Sequence, residues 1–419
     1  MTGRAQTSPH SRGGNVRGGT SATAAGSLDI DAMLADPTTQ IIVCCGSGGV
    51  GKTTTAASLG LRAAEQGRKV CVLTIDPARR LAQSMGLTEL DNVPRPVEGL
   101  AKNDAGGSLD AMMLDMKRTF DEVVEAHATP EKARQILSNP FYVALSSSFA
   151  GTQEYMAMEK LGQLFRSTVE SGDSSGTSDG RRWDLIVVDT PPSRSALDFL
   201  DAPERLSSLL DGRFIKLLLA PAKGPARLFS AGFGIVTSAL NRVLGAQVLT
   251  DVQTFVAAFD TLFGGFRQRA EATYALLQAK EAAFLVIAAP EPDAMREATY
   301  FVERLTHEKM PLAGLLVNRV TEPPAAVLGS DDADAAAHEL EAVAKKSKNA
   351  SAGNGTPDAQ VAGLLRVHAG RMRVRTREHQ LKRRFSAAHP AVPTVSVPAL
   401  ASDVHDLAGL RRIGELLAR

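Results

Sequence analysis

The segment GSGGVGKTT, residues 46–54, constrains the fold of this chain more than any other part of the sequence. It follows an apolar run from Ile41 to Cys45 and precedes a periodic stretch from Lys52 to Glu65, so it lies between a predicted strand and a predicted helix. The spacing G-x-x-x-x-G-K-[ST] in that context is typical of a phosphate-binding P-loop. The sequence therefore predicts an α/β domain built around this strand, loop and helix.

The loop also predicts how a nucleotide would be held. Its glycines let backbone N–H groups turn towards a phosphate, where a Cβ would collide. Lys52 would reach the β- and γ-phosphate oxygens, and the Thr53 hydroxyl would coordinate Mg²⁺, so ATP and Mg²⁺ are the predicted cofactors. Nine residues are predicted to contact the nucleotide: Gly46, Ser47, Gly48, Gly49, Val50, Gly51, Lys52, Thr53 and Thr54.

Five further apolar runs bounded by turn residues are predicted strands. They are Val70–Ile75, Leu185–Val188, Phe284–Ala288, Leu312–Val317 and Thr394–Val397. Strands that are apolar on both faces are typical of a parallel sheet covered by helices. The predicted fold class is therefore α/β, a mostly parallel P-loop sheet flanked by helices.

Two connections between these strands are too long for simple crossovers. Each spans about 100 residues with helical patterning, whereas a crossover needs about a dozen. We predict an inserted α-helical subdomain, built from about 116–170 and 203–282, at the carboxyl edge of the sheet where ligands bind. Residues 1–27 are predicted to be a disordered tail and 28–419 the P-loop domain, with flexible loops at 171–182 and 322–360.

Two of the predicted strands are followed by aspartates. Asp189 comes after Leu185–Val188, and Asp76 comes after Val70–Ile75, so both belong at the same sheet edge. Asp189 would hold Mg²⁺ through a bound water, whereas Asp76 would orient or deprotonate an attacking water. Lys52 and Asp76 are thus the predicted catalytic residues. A helix N-cap is the alternative role for Asp76, because Asp after a strand often caps the next helix.

Composition limits the partners and the compartment. Lys and Arg (47) nearly balance Asp and Glu (46), so no nucleic-acid partner is expected and any membrane contact would be peripheral. Cys44, Cys45 and Cys71 lie in predicted strands without CxxC spacing, which favours a reducing compartment and disfavours a thiolate metal site. No run approaches the roughly 20 apolar residues of a membrane span, and no export signal is evident. A cytoplasmic protein is expected.

Several motifs resemble those of the arsenite-pump and tail-anchored-protein-targeting ATPases, a family of the deviant Walker A P-loop class. They are GGVGKTT, Asp76-Pro77-Ala78, Asp189-Thr190-Pro191-Pro192 with Pro203, Pro290-Glu291 and Leu315-Leu316-Val317-Asn318-Arg319. The resemblance runs from about residue 28 to the C-terminus and implies a dimeric ATP hydrolase. The resemblance implies that Asp76 is the first-switch aspartate and that Asn318 contacts adenine. It also implies that Glu291 approaches the nucleotide from near the subunit interface. It also implies a helical subdomain that binds cargo or a partner, with a hydrophobic polypeptide as one such client.

Ser47 departs from the pattern of this class, which has a lysine at that position reaching the partner's phosphates across the dimer. A basic group at the developing phosphate charge contributes about 10³–10⁵ in rate. Two assemblies stay open: a homodimer of weak activity unless Arg79 or Arg194 substitutes, or a heterodimer with a related ATPase that bears the lysine. A nucleotide-binding regulatory subunit and a septum or partition ATPase are the alternative functions. The arsenite-binding cysteines have no counterparts here, which argues against arsenite export.

Two apolar segments have alternative roles. The Phe-rich residues 229–266 would form either a packed helical core or a groove for a client helix. The amphipathic run from Leu407 to Leu417 would either pack on the sheet or rest on a membrane.

Overall fold

The architecture is known from a computed structural model that describes residues 26–76, 80–100, 106–140, 142–143, 146, 152–170, 182–191, 265, 268–346 and 357–418. Eight strands of the described residues form one sheet in the order β3-β4-β2-β5-β1-β6-β7-β8. They are β1 (Ile41–Cys45), β2 (Lys69–Thr74), β3 (Arg95–Pro96), β4 (Ser108–Met113), β5 (Leu185–Asp189), β6 (Ala282–Ala288), β7 (Leu312–Val320) and β8 (Thr394–Pro398). All neighbours are parallel except β3, which runs antiparallel to β4. The predicted α/β class and mostly parallel sheet are confirmed.

Helices cover both faces of this sheet. They are α1 (Ile30–Ala35), α2 (Lys52–Glu65), α3 (Arg80–Ser84), α4 (Met116–His127), α5 (Pro130–Leu137), α6 (Thr152–Glu170), α7 (Pro292–His307), α8 (Ser330–Lys346), α9 (Pro357–Ala388) and α10 (Leu407–Leu417). A further helical stretch covers residues 268–278. The predicted helix from Lys52 to Glu65 has the bounds of α2. Among these helices none is both long and apolar enough to cross a membrane.

The sheet separates two apolar layers, because successive side chains of each strand point to opposite faces. On one face Ile41 and Val43 of β1 join residues of α4, α6 and α7 in one core cluster. On the other face Ile42 and Cys44 join residues of α1, α2 and α10 in a second cluster. This two-sided burial explains why the strands read as continuous apolar runs.

All six predicted strands are present, but β3 and β4 were not predicted. β4 pairs with β2, and its sequence SLDAMM alternates with only partial burial of Asp110. That polar residue accepts a hydrogen bond from the indole of Trp183 at 2.8 Å. The first long connection therefore contributes the edge strand β3 and its neighbour β4 as well as helices.

The prediction of a flexible loop at 322–360 is wrong for residues 330–346, which form α8, and for residues 357–360, which begin α9. Ala, Glu and Lys are strong helix formers, and acidic residues in the first turn favour the helix N-terminus. Arg366 of α9 makes two hydrogen bonds with Glu341 of α8, at 2.6 and 2.8 Å, and Arg373 pairs with Asp334. Residues 171–181 of the predicted loop 171–182 and residues 1–25 of the tail lie outside the described residues. Ser27, placed in that tail, bridges to Thr394.

The described parts of the two long connections contact each other. Glu159 of α6 is buried, and its carboxylate accepts hydrogen bonds at 3.0 Å from Arg269 in the helical stretch 268–278. Lys160 pairs with Glu122 of α4 at 3.0 Å. These polar contacts join the helices on one face of the sheet. Residues 203–264, including most of the Phe-rich segment, lie outside the described part of the chain.

The C-terminal helix α10 packs on α2, as the packing alternative predicted. Leu410, Ile413 and Leu416 are buried in the same core cluster as α2. Arg411 donates to Glu65 of α2 at 2.7 Å. The apolar face of α10 is therefore used inside the domain.

Candidate active site

The loop after β1 is held against β6 and β7 by two glycines whose backbone leaves no room for a side chain. Gly46 has φ 152°, and a Cβ built on it would lie 2.1 Å from the Ile287 carbonyl oxygen. Gly51 has φ 94°, and its Cβ would lie 2.3 Å from Nδ2 of Asn318. Only glycine tolerates both the positive φ and the close approach. The path of the loop is thus fixed by contacts with the neighbouring strands.

The start of α2 is arranged to receive an anion. Gly51 is the N-cap and provides no side-chain hydrogen bond, so the N–H groups of the first turn keep their donor capacity. The aligned peptide dipoles add a partial positive charge at this end. Lys52 is buried, and its Nζ donates to the Ser47 carbonyl at 2.9 Å. Burial lowers the pKa of Lys52, while Asp189 opposes that shift. A phosphate beside the ammonium would favour its charged form and so oppose the effect of burial.

Asp189, at the end of β5, has no exposed surface. Its Oδ2 accepts hydrogen bonds from the hydroxyls of Thr53, at 2.7 Å, and Thr74, at 2.8 Å. Its Oδ1 has no hydrogen-bond partner among the described residues. Burial raises the pKa of Asp189 to about 6, although the two hydroxyl bonds and Lys52 act in the opposite direction. A buried carboxylate oxygen without a partner is an acceptor for a group that the polypeptide itself does not supply.

This donor set fits a hydrated magnesium ion. Mg²⁺ prefers hard oxygen ligands and usually keeps several waters beside one or two protein oxygens and the substrate phosphates. Asp189 and the Thr53 hydroxyl offer such oxygens side by side. In the described ranges, no group of three or more His, Cys, Asp or Glu residues could form an all-protein metal site. Thr53 and Asp189 therefore stay the predicted metal residues.

Thr74 links the two predicted aspartates, and the sequence analysis missed it. Its hydroxyl donates to Asp189 and accepts the backbone N–H of Asp76 at 3.2 Å. Thr74 is buried at the end of β2. A lone hydroxyl at the end of an otherwise apolar strand was the signal that could have found it. Thr190, also buried, donates to the Cys44 carbonyl at 2.8 Å and ties β5 to β1.

A cavity of about 720 Å³ opens above these strand ends. Seven of the predicted residues line it: Gly49, Gly51, Lys52, Thr53, Thr54, Asp76 and Asn318. Arg80, Arg319 and residues 398–400 and 402–405 also line the cavity, and none of these was predicted as a site residue. The size suits a drug-sized or nucleotide-sized ligand, for which pockets are commonly about 300–1,000 Å³.

Asn318 and Glu291 occupy different environments. The Asn318 side chain is buried, donates to the Val50 carbonyl at 2.8 Å and accepts from the Arg319 N–H at 3.0 Å. It therefore holds the phosphate loop onto β7. Glu291 is exposed at the N-cap of α7 and does not line the cavity. Arg79 and Arg194, the predicted substitutes for the class lysine, lie outside the described residues.

Comparisons with known proteins show which proteins this sequence resembles. Residues 39–327 match the family model described as anion-transporting ATPase. ATPase BagA of Mycobacterium tuberculosis is 25% identical over 378 residues, which cover 89% of this chain and 91% of that protein. ATPase ASNA1 homolog 2 of Paramecium tetraurelia is 22% identical over 313 residues, 70% of this chain and 79% of that protein. ATPase GET3 of Malassezia globosa is 28% identical over 169 residues, 40% and 44% of the two chains.

Proposed function

Since this chain belongs to the anion-transporting ATPase family, we propose that it binds MgATP in the 720 Å³ cavity and hydrolyses it to ADP and phosphate. One observation carries the proposal. The start of α2, the buried ammonium of Lys52 and the unpartnered Oδ1 of Asp189 converge at the carboxyl edge of the sheet. Amide donors, a cation and a metal-binding oxygen are the three kinds of group that a magnesium triphosphate requires.

The phosphate chain would be held by the loop amides and by Lys52. The ammonium would exchange the Ser47 carbonyl for β- and γ-phosphate oxygens. Each charge-assisted hydrogen bond of this kind contributes about 1.5–3 kcal/mol. Asn318 and Gly51 hold the loop against β7, and the N–H groups of the loop would point at the phosphates. We assign the nine loop residues, 46–54, to nucleotide binding on this basis.

The metal and the attacking water would lie beside the phosphates. Thr53 would bind Mg²⁺ through its hydroxyl and Asp189 through a bound water. When bound, Mg²⁺ neutralises charge on the β- and γ-phosphate oxygens. Asp76 would orient the attacking water or accept its proton as the new oxygen–phosphorus bond forms and the β–γ bridge leaves with ADP. Thr74 would fix the position of Asp76 relative to Asp189, since its hydroxyl donates to the Asp189 carboxylate and accepts the backbone N–H of Asp76.

The active assembly is proposed to be a dimer, with the nucleotide state coupled to a cargo or partner through the helical connections. Asn318 would contact adenine and Glu291 would approach the nucleotide from near the partner subunit. Ser47 favours either a heterodimer whose other subunit supplies a lysine or a weakly active homodimer. The same residue supports a second candidate function, a nucleotide-binding regulatory subunit with little hydrolysis.

Phosphate release by the purified chain tests hydrolysis directly. Asp76→Asn should keep ATP affinity and lose turnover, because it removes the group that positions or deprotonates water. Asp293→Asn, at a side chain that is 84% exposed, is the matched control and should retain wild-type turnover. Wild-type turnover in Asp76→Asn would refute the catalytic role of Asp76. ATP binding by the wild type without turnover, both alone and with a related lysine-bearing ATPase, would favour the regulatory subunit.

The same assay separates the two assemblies. Brisk, cooperative hydrolysis by the chain alone would contradict the heterodimer. If the chain is a slow homodimer, Ser47→Lys should raise its turnover by up to about 10³-fold. If the wild-type chain is inactive alone and becomes active with a related lysine-bearing ATPase, the result would support the heterodimer instead.

A further inference from the structure

The long helix α9 carries two apolar rows on opposite faces. It contains 32 residues, which corresponds to about 48 Å of helix. The first row includes the buried residues Ala362, Ala369 and Met372. This row faces α8, whose Ala333 and Ala337 are buried in turn. The pairing shows that the N-terminal half of α9 accepts a second helix along a narrow apolar row.

The second row is exposed. Leu364, Val367 and Val374 retain 70%, 63% and 45% of their surface. With Arg371 they follow the three-and-four spacing of a coiled-coil seam. We call residues 364, 367, 371 and 374 the open seam. It extends over about 15 Å of helix.

The open seam continues directly into the domain core. The next positions at the same spacing are Glu378, Leu381 and Phe385. Glu378 and Phe385 are buried, and Leu381 packs against the core. Glu378 accepts hydrogen bonds from the N–H and hydroxyl of Thr321 at 2.7 and 2.8 Å. One continuous row is therefore covered in its C-terminal part, while its N-terminal part keeps apolar side chains in contact with solvent.

Charge defines what would cover the open seam. From Ala359 to Arg377 the helix has no Asp or Glu but five arginines, at positions 366, 371, 373, 375 and 377. Arg366 and Arg373 pair with acidic residues of α8. For the other three, Arg371 within the seam and Arg375 and Arg377 beside it, no ion pair occurs in the part of the chain that the structure describes. The surface is thus an apolar row that one arginine interrupts, with further positive charge at its margin.

The charge of the open seam argues against one occupant, and its shape argues against another. A second copy of the same seam would bring arginines against arginines, and like charges across a helix pair are unfavourable. A membrane surface prefers a broad apolar face with Trp, Phe or Leu. The open seam is narrow, has an arginine in its centre and has no aromatic residue. An acidic helix satisfies both its apolar and its basic groups.

We propose that the open seam of α9 docks an acidic amphipathic helix of a partner protein. Apolar side chains of that helix would cover Leu364, Val367 and Val374, and its Asp or Glu residues would meet the guanidinium groups of Arg375 and Arg377. The neighbouring helix α8 shows the required chemistry, since it has five acidic and two basic residues and binds the opposite face of α9. The inference does not depend on nucleotide hydrolysis.

The test uses the full-length chain and a labelled synthetic peptide with Leu at the a and d positions and Glu at the e and g positions of four heptads. Fluorescence anisotropy should show saturable binding that weakens as salt is raised. Leu364→Asp/Val367→Asp should weaken it about tenfold or more, because apolar positions at the centre of an interface dominate its energy. Leu364→Ala/Val367→Ala, a milder change at the same exposed sites, should also weaken peptide binding, but by less. Val343→Asp on α8, where the side chain is 54% exposed, should leave it unchanged.

Three results would overturn the proposal. The first is equal peptide binding by the wild type and by both seam variants. The second is a dimer of the wild-type chain that dissociates in Leu364→Asp/Val367→Asp during sedimentation, which would make the seam a contact between copies. The third is seam-dependent binding to phosphatidylserine vesicles without binding to the acidic peptide. A matching peptide with Lys at the e and g positions should bind about tenfold more weakly than the Glu peptide.

Discussion

Replacing Asp189 by Asn should stabilise the nucleotide-free protein above neutral pH. The carboxylate has no exposed surface, and one of its oxygens has no partner in the described residues. Asn has almost the same shape, and its side-chain carbonyl can accept the hydroxyl bonds from Thr53 and Thr74. The substitution therefore removes a buried charge without removing the hydrogen bonds that surround it.

The size and sign of this effect follow from the pKa. Burial raises the pKa of Asp189 from 3.8 to about 6, so the folded protein keeps a proton that the unfolded chain loses in this interval. The stability linked to that proton is fully present below about pH 3.8 and is lost as pH rises through about 6. The difference between the two pKa values corresponds to about 3 kcal/mol. Asn is neutral throughout and avoids this loss.

Urea unfolding followed by the fluorescence of Trp183, the single tryptophan, measures the effect. Near pH 8 the Asn variant should gain up to about 3 kcal/mol over the wild type, and near pH 4 the gain should almost vanish. The exposed control Asp293→Asn should change the free energy of unfolding by less than about 1 kcal/mol. A variant that is less stable than the wild type at the higher pH, or equally stabilised at both, would refute the reasoning. The same variant should lose the Mg²⁺ dependence of ATP binding.

Three further predictions use the same preparations. Gly46→Ala should lower the free energy of unfolding by about 1–3 kcal/mol, because Gly46 has a positive φ and a Cβ there would meet a carbonyl oxygen. Gly363→Ala, at a position in open space on α9, should raise the free energy of unfolding by about 0.5–1 kcal/mol. Thr74→Val should reduce turnover about 10- to 100-fold, because it removes the hydrogen bond to the Asp189 carboxylate. Thr74→Ser should retain most of the turnover, and equal rates in the two variants would exclude a positioning role. Arg269→Met should lower the free energy of unfolding in urea by about 3–5 kcal/mol, because the Glu159 carboxylate stays buried with weakened pairing. Adding Glu159→Gln to this variant should recover part of the loss.

The central sheet could be predicted because its strands are buried on both faces. A run such as Ile41–Cys45 has few other stable positions than the interior of a covered parallel sheet. The bounds of α2 followed from Gly51 and Gly67, which both adopt positive φ in the structure. The phosphate loop could be placed because its spacing, strand and helix agree. Local sequence and tertiary packing favour the same conformation in these parts of the chain.

Edge strands and surface helices were harder to predict. β4 is only partly buried, so Asp110 interrupts its apolar pattern, and the hydrogen bonds with β2 decide its conformation. Residues 330–346 were read as a loop because their charge and alanine content resemble a flexible segment. The contact with α9 stabilises them as a helix, and that contact is not visible in the local composition.

The polar network of the site also depends on contacts between distant residues. Thr74 and Asp189 are 115 positions apart, yet their side chains lie 2.8 Å from each other. The hydroxyl at the end of an apolar strand marks Thr74 as a candidate site residue, but the sequence alone does not show that it lies beside Asp189. The lining by residues 398–400 and 402–405 likewise follows from the position of β8 at the sheet edge.

Calorimetric titration of the full-length chain with ATP and Mg²⁺ tests the central claim most directly. The account predicts saturable binding by the wild type and a loss of about 10- to 100-fold in affinity for Lys52→Ala, since one charge-assisted contact is removed. Lys309→Ala, a change at a lysine remote from the cavity lining, should bind like the wild type. No detectable heat of binding in the wild type, or an unchanged affinity in Lys52→Ala, would contradict the account.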